Sequence, residues 1–203
     1  MCKEPCYTVS GITDWAGLEY LSIPTSSNDT WNDVTCDITK NGYRLPTEAE
    51  WEFAARGGDQ SNGDWKYAFS GVQSLKQIYR GTTESDTDYD GTNKNLRKDA
   101  NLASVGWYFN NSSSNVHPVG GKLPNRLGLY DMSGNLYEWC WDWYRSSITA
   151  GTPAAGPSSG NDRVSCGGSW CSDANNCSVS YRYDGHPDYG NYFIGFRLAC
   201  SGE

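Results

Sequence analysis

Runs of basic residues are missing from this chain. Its 16 Lys and Arg are outnumbered by 24 Asp and Glu, giving a formal net charge of -8. A phosphate-binding face needs clustered cations, so the charge argues against a nucleic-acid partner and against an anionic membrane surface. No apolar stretch approaches the length of a membrane span, and direct membrane insertion of this domain is not expected. Nothing at the start reads as a signal peptide, since Met1 runs straight into Cys2, Lys3 and Glu4. Eight cysteines occur but no C-x-x-C pair, so the usual spacing for zinc or dithiol redox chemistry is lacking. The even number permits disulfides, yet a chain of 203 residues buries enough surface to fold without them. At most one pair is expected.

Aromatics and glycine are plentiful: 9 Trp, 14 Tyr and 23 Gly. That mixture describes a turn-rich globule with a dense aromatic centre. The length suits one α+β domain over residues 1–203. The first 42 residues are loop-rich. Thr47 followed by Glu50 is a capping box and predicts a helix, with Trp51, Ala54 and Ala55 on one face and Gly57-Gly58 at its end. Residues 59–126 are polar and irregular, with long loops expected at Asp59–Asp64 and Ser85–Asn95 and an apolar piece at Val105–Phe109. Tyr137–Trp143 alternates with period two and predicts a strand. Its face of Trp139, Trp141 and Trp143 is the expected core side. Residues 145–161 read as a connecting loop, followed by strand-like pieces at Arg163–Val164, Val179–Arg182 and Ile194–Ala199.

Three motifs occur in order. They are Tyr43-Arg44-Leu45-Pro46-Thr47-Glu48-Ala49-Glu50-Trp51-Glu52-Phe53-Ala54-Ala55-Arg56-Gly57, then Gly128-Leu129-Tyr130-Asp131-Met132-Ser133-Gly134-Asn135-Leu136-Tyr137-Glu138-Trp139, then Gly167-Gly168-Ser169-Trp170 with Gly195-Phe196-Arg197. Together they resemble the formylglycine-generating-enzyme (sulfatase-modifying factor) family from about residue 40 onward. The resemblance implies a loop-rich C-type lectin fold with short strands and few helices. Fold alone does not give function, so the sites are weighed one by one.

The enzymes of that family bind copper(I) through two thiolates, two and seven residues after the motif tryptophan. Here the second position is Cys177, but the first is Ser172, with Cys171 one residue early. A one-residue slip in a strand turns a side chain to the opposite face. A buried small hydrophobe is the plainer reading of Cys177. A related branch holds non-haem iron with several His, whereas only His117 and His186 occur here. The resemblance also implies a structural calcium, with Asn135 and Glu138 at matching ligand positions. No cofactor is otherwise required.

The stretch 171–193 contains no Lys, Glu, Gln, Met or Trp. A window of this length would lack all five by chance only about 3% of the time. Randomising both adenines of an AAC or AAT codon yields Asn, Tyr, Ser, Asp, His, Cys, Gly and Phe, and cannot yield those five. The window uses the permitted set. It therefore resembles the variable region of diversity-generating-retroelement proteins, which display mutagenised positions on a C-type lectin fold. That resemblance implies a ligand-binding protein shown at the cell surface, lipid-anchored through a segment outside this sequence.

The expected variable region is 163–197. Its candidate binding residues are Cys166, Cys171, Ser172, Asp173, Asn175, Asn176, Ser180, Tyr181, Tyr183, Asp184, Gly185, His186, Asp188, Tyr189, Gly190, Asn191, Tyr192 and Phe193. Rigid Tyr and Phe with adaptable Ser, Asn and Gly is the mixture antibody loops use. A protein ligand is expected over a small molecule, because the window is long. Gly167-Gly168 is expected at positive φ, Trp170 and Phe196 in the core, and Arg182 and Arg197 on carboxylates or carbonyls. No catalytic residue is expected. The alternatives are a copper-dependent oxidase acting on a peptidyl cysteine and an inert structural member of the family.

Overall fold

The computed structural model describes residues 3–12, 14–72, 99–148 and 156–201. The predicted loop at Ser85–Asn95 lies outside them. The first segment holds β1 (Tyr7–Thr8), one turn of helix α1 (Asp29–Asn32) and β2 (Thr35–Cys36), which pairs antiparallel with β1. Asn28 caps α1 by accepting from the Trp31 amide.

Strand β3 (Tyr43–Arg44) leads into α2 (Glu48–Ala55). The capping box is present: Thr47 Oγ1 accepts from the Glu50 amide, and Glu50 accepts from the Thr47 amide. Glu50 also accepts twice from the Arg44 guanidinium, at 2.7 Å each. Trp51 and Ala55 are buried, and Gly57 and Gly58 at φ +86° and +75° end the helix. Only glycine adopts two such left-handed residues in a row without strain.

The next elements are α3 (Leu102–Val105), β4 (Tyr137–Trp143), β5 (Arg163–Cys166), β6 (Arg182–Gly185), β7 (Ile194–Gly195) and β8 (Ala199–Cys200). The main sheet runs β6-β5-β4-β7, antiparallel except for the parallel β4–β7 pair, and β8 closes back on β3. The third predicted strand is displaced. Val179 lies in a turn and the strand begins at Arg182, because Val179 is drawn into the core.

Strand β4 has the predicted bounds, but its faces are reversed. Glu138, Cys140 and Asp142 are the buried side, while the three tryptophans are half-buried. The carboxylates go inward because each meets a donor. Glu138 accepts from Trp51 Nε1 and Arg197, and Asp142 accepts from the Glu48 amide at the start of α2. The tryptophan side is covered instead by a cation. The Arg163 guanidinium lies 4.1 Å from the Trp141 ring centre and 3.5 Å from that of Trp143, contacts worth roughly 0.5–2 kcal/mol each.

Two apolar clusters form the core. One joins Trp51 and Ala55 of α2 to Met132, Cys140, Val164, Cys166 and Val179. The other joins Phe69, Leu102, Val105 and Tyr108 to Ala174 and Cys177. The window therefore reaches into both clusters through Cys177, Ala174 and Val179. Phe196, expected inside, is 66% exposed, because Arg197 takes the inward place beside it on Glu138.

Candidate functional site

The scaffold holds the window at several points. Gly167 and Gly168 have φ of +95° and +73°. A Cβ on Gly168 would meet Cys177 Sγ at 2.6 Å, so the chain doubles back onto the buried thiol there. Arg182 forms an ion pair with Glu48 and also donates to the Arg145 carbonyl. Arg197 pairs with Glu138 through Nε at 2.5 Å and Nη2 at 2.7 Å. Both arginines meet carboxylates, as the sequence predicts. Trp170 is half-buried, and its ring N–H donates to the Tyr192 carbonyl.

Between these anchors the chain turns outward. Cys171, Asn175, Ser180, Asp184, His186, Asp188, Tyr189, Gly190 and Tyr192 are exposed, while Asp173, Asn176, Tyr181, Tyr183, Asn191 and Phe193 are half-buried. His186 Nδ1 and Asp188 Oδ1 lie 2.5 Å apart. Three candidates are placed otherwise. Cys166 is 2% exposed in the core cluster with Cys140, so it is packing and not surface. Ser172 is buried, its Oγ accepting from the Ser169 amide and 2.9 Å from Ser169 Oγ. Gly185 lies against Trp139, and a Cβ there would meet the indole at 2.9 Å.

A cavity of about 330 Å³ opens inside this face, lined by Cys171, Ser172, Asp173, Asn176, Tyr183 and Phe193 from the window. Its other walls are Phe109, Tyr137 and Ser169. The Tyr137 and Tyr183 rings stack with centres 5.0 Å apart, and Phe193 meets both edge-on at 6.2 Å. Tyr192 extends the cluster to Phe193 and Trp170. Burial pushes the Tyr137 hydroxyl up, opposed by hydrogen bonds with Ser172 and Asn176, so it stays neutral and fixed. Sequence reasoning missed Phe109 and Tyr137 as parts of the site. Tyr137 stood inside the second motif, but nothing local tied it to a window starting 34 residues later.

The metal expectations do not fit these residues. Asn135 spends its side chain on the backbone of His117, accepting from the amide and donating to the carbonyl. Glu138 is occupied by Trp51 and Arg197. Both of its carboxylate oxygens are engaged by that guanidinium. Among the described residues no group of three or more His, Cys, Asp or Glu could hold a metal. The copper pair fares no better, since Cys177 is fully buried and burial pushes its thiol strongly up, against the thiolate such a site requires. The seven described cysteines are free thiols.

The chain belongs to the family of sulfatase-modifying factor enzyme 1-like domains, whose model matches residues 13–201. Within that family its scaffold is that of a formylglycine-generating-enzyme-like variable protein. It is similar to Treponema denticola variable protein 1, with a TM-score of 0.73 and 40% identity over 98% of this chain and 63% of that one. It also resembles the formylglycine-generating enzyme of Thermomonospora curvata, 35% identical over 84% of this chain and 53% of the enzyme. The chaperone protein LppX of Paenibacillus barcinonensis is 34% identical over 92% of this chain and 59% of that protein. The chain thus spans less than two thirds of the length of each. No helix among the described residues is long and apolar enough to cross a membrane.

Proposed function

We propose that this chain is a diversified ligand-binding protein, with residues 163–197 presenting a mutable face on a constant scaffold. One observation carries the reading: anchored and open positions alternate within a single window. Ala174, Cys177 and Val179 are at most 2% exposed, and Arg182 is ion-paired to α2. Of the residues between them, Asn175 and Ser180 are exposed, Asn176 and Tyr181 half-buried and Ser178 buried. A site that must accept many sequences needs this separation, because substitutions at buried or ion-paired positions typically cost several kcal/mol while surface changes stay within about 0.5 kcal/mol. The likeness to Treponema denticola variable protein 1 supports the same reading.

The ligand is a protein, the face is displayed at the cell surface, and mutagenesis by a retroelement supplies the variation. The test is a library in which the exposed candidates are randomised among Asn, Tyr, Ser, Asp, His, Cys, Gly and Phe. Most members should keep the parental melting temperature within a few degrees. Widespread unfolding would show that the face is not free to vary.

A copper-dependent oxidase acting on a peptidyl cysteine is supported by the enzymes among the relatives. The burial of Cys177 and the serine at position 172 weigh against it. Stoichiometric, cysteine-dependent copper(I) binding would restore it.

A further inference from the structure

The cavity in the variable face has a composition that selects a ligand chemistry. Resting on the binding-face reading, we infer that it takes a basic side chain, lysine or arginine, presented by a protein ligand. Four aromatic residues, Phe109, Tyr137, Tyr183 and Phe193, line it together with Asp173, the one acidic residue of the lining. Ring faces carry negative potential and attract cations, most strongly when water is displaced. Among the described residues that line it there is no Lys, Arg or His, so none of them repels a positive charge. At about 330 Å³ the space holds one long side chain and not a folded segment.

Two features extend the argument beyond the lining. The chain carries a net charge of -8, and a field of that sign raises the encounter rate with basic partners. The walls also divide by origin. Phe109 and Tyr137 lie outside the window, and Tyr137 is 4% exposed with its ring held against Tyr183 and Phe193. Diversification therefore leaves part of the aromatic wall in place. Tyr192, 74% exposed and in ring contact with the lining Phe193, reads the surroundings of the inserted side chain. Phe109 and Tyr137 form the constant wall, while Asp173, Tyr183 and Phe193 change with the choice of partner.

The test is selection of a random-peptide phage library on the whole chain, with Tyr192→Ala and Asp173→Asn variants run in parallel and checked for unchanged melting temperature. Peptides that bind the parent should be enriched in lysine or arginine at least fivefold over the library. A synthetic peptide in which that residue becomes norleucine or citrulline should bind at least tenfold more weakly, a readout that needs no change in the protein. Asp173→Asn should weaken the same peptide. Peptides that depend on Tyr192 but lack basic enrichment and tolerate norleucine or citrulline would overturn the cation site and leave the binding face standing. Failure to select any peptide sensitive to Tyr192 would count against both.

Discussion

Arg182 and Glu48 are 134 positions apart in sequence and meet as a two-contact ion pair, with Arg182 Nη2 donating to Glu48 Oε2 at 2.8 Å. Each side chain is 12% exposed. The pair fastens the middle of the stretch 171–193 to the first turn of α2. Breaking a buried pair by removing one partner leaves a stranded charge and costs about 3–5 kcal/mol. Arg182→Ala should therefore lower stability by roughly that amount in denaturant titration. Tyr192→Ala should fall within about 0.5 kcal/mol of the parent. Equal losses would contradict the division into anchor and surface. Tyr183 is a poorer surface probe than the sequence suggests, because its stack on Tyr137 ties it to the scaffold.

Asp142 supplies a pH test. Burial, opposed by the hydrogen bond from the Glu48 amide, pushes its carboxyl up to about 6. The native chain then binds a proton more tightly than the unfolded chain, whose aspartate titrates near its usual ~3.9. Linkage makes this contribution to stability fall as pH rises from about 4 to about 6, then level off. Asp142→Asn removes the ionisation while its side-chain oxygen can still accept from the amide. The stability of the parent relative to the variant should rise as pH falls through that window, by on the order of 2 kcal/mol. A pH-independent difference would contradict the assignment.

Thiol reactivity separates surface from core. Cys171 and Cys200 are exposed, while Cys140, Cys166 and Cys177 are buried. Burial raises the thiols of Cys140 and Cys177. Iodoacetamide on the native protein, followed by peptide mass spectrometry, should label Cys171 and Cys200 first. The thiols of Cys140, Cys166 and Cys177, and that of Cys6, which is also buried, should react only on unfolding. Early labelling of Cys166 would return it to the binding face.

Glu138 is structural through Arg197 and Trp51. Glu138→Gln should lose about 3 kcal/mol in calcium-free buffer, by the same stranded-charge argument. A loss that appears only when calcium is supplied would mean that the carboxylate serves a metal instead.

The helix α2 was legible because its signals are local: a cap, a box residue three positions on, and two glycines at the end. The bounds of β4 were legible for the same reason. Its inward face was not, since period two states that the sides differ without saying which is covered. Trp51, Arg197 and the start of α2 decided that, and all are distant in sequence. The motif order gave away the fold family, and the bias in residue types suggested the window. That pattern is blind to burial, so it admitted Cys166, which packs with Cys140, and Gly185, which lies against Trp139. Phe109 escaped notice because only folding brings it to the cavity.

Deep sequencing of the 3′ end of the coding region across a population of the source cells tests whether the face is diversified. Substitutions should crowd into the codons for the exposed candidates such as Asn175, Ser180, Tyr189 and Tyr192, fall at adenines of a matching template, and spare Gly167–Trp170, Cys177, Arg182 and Gly195–Arg197. A window as uniform as the rest of the gene would contradict the account.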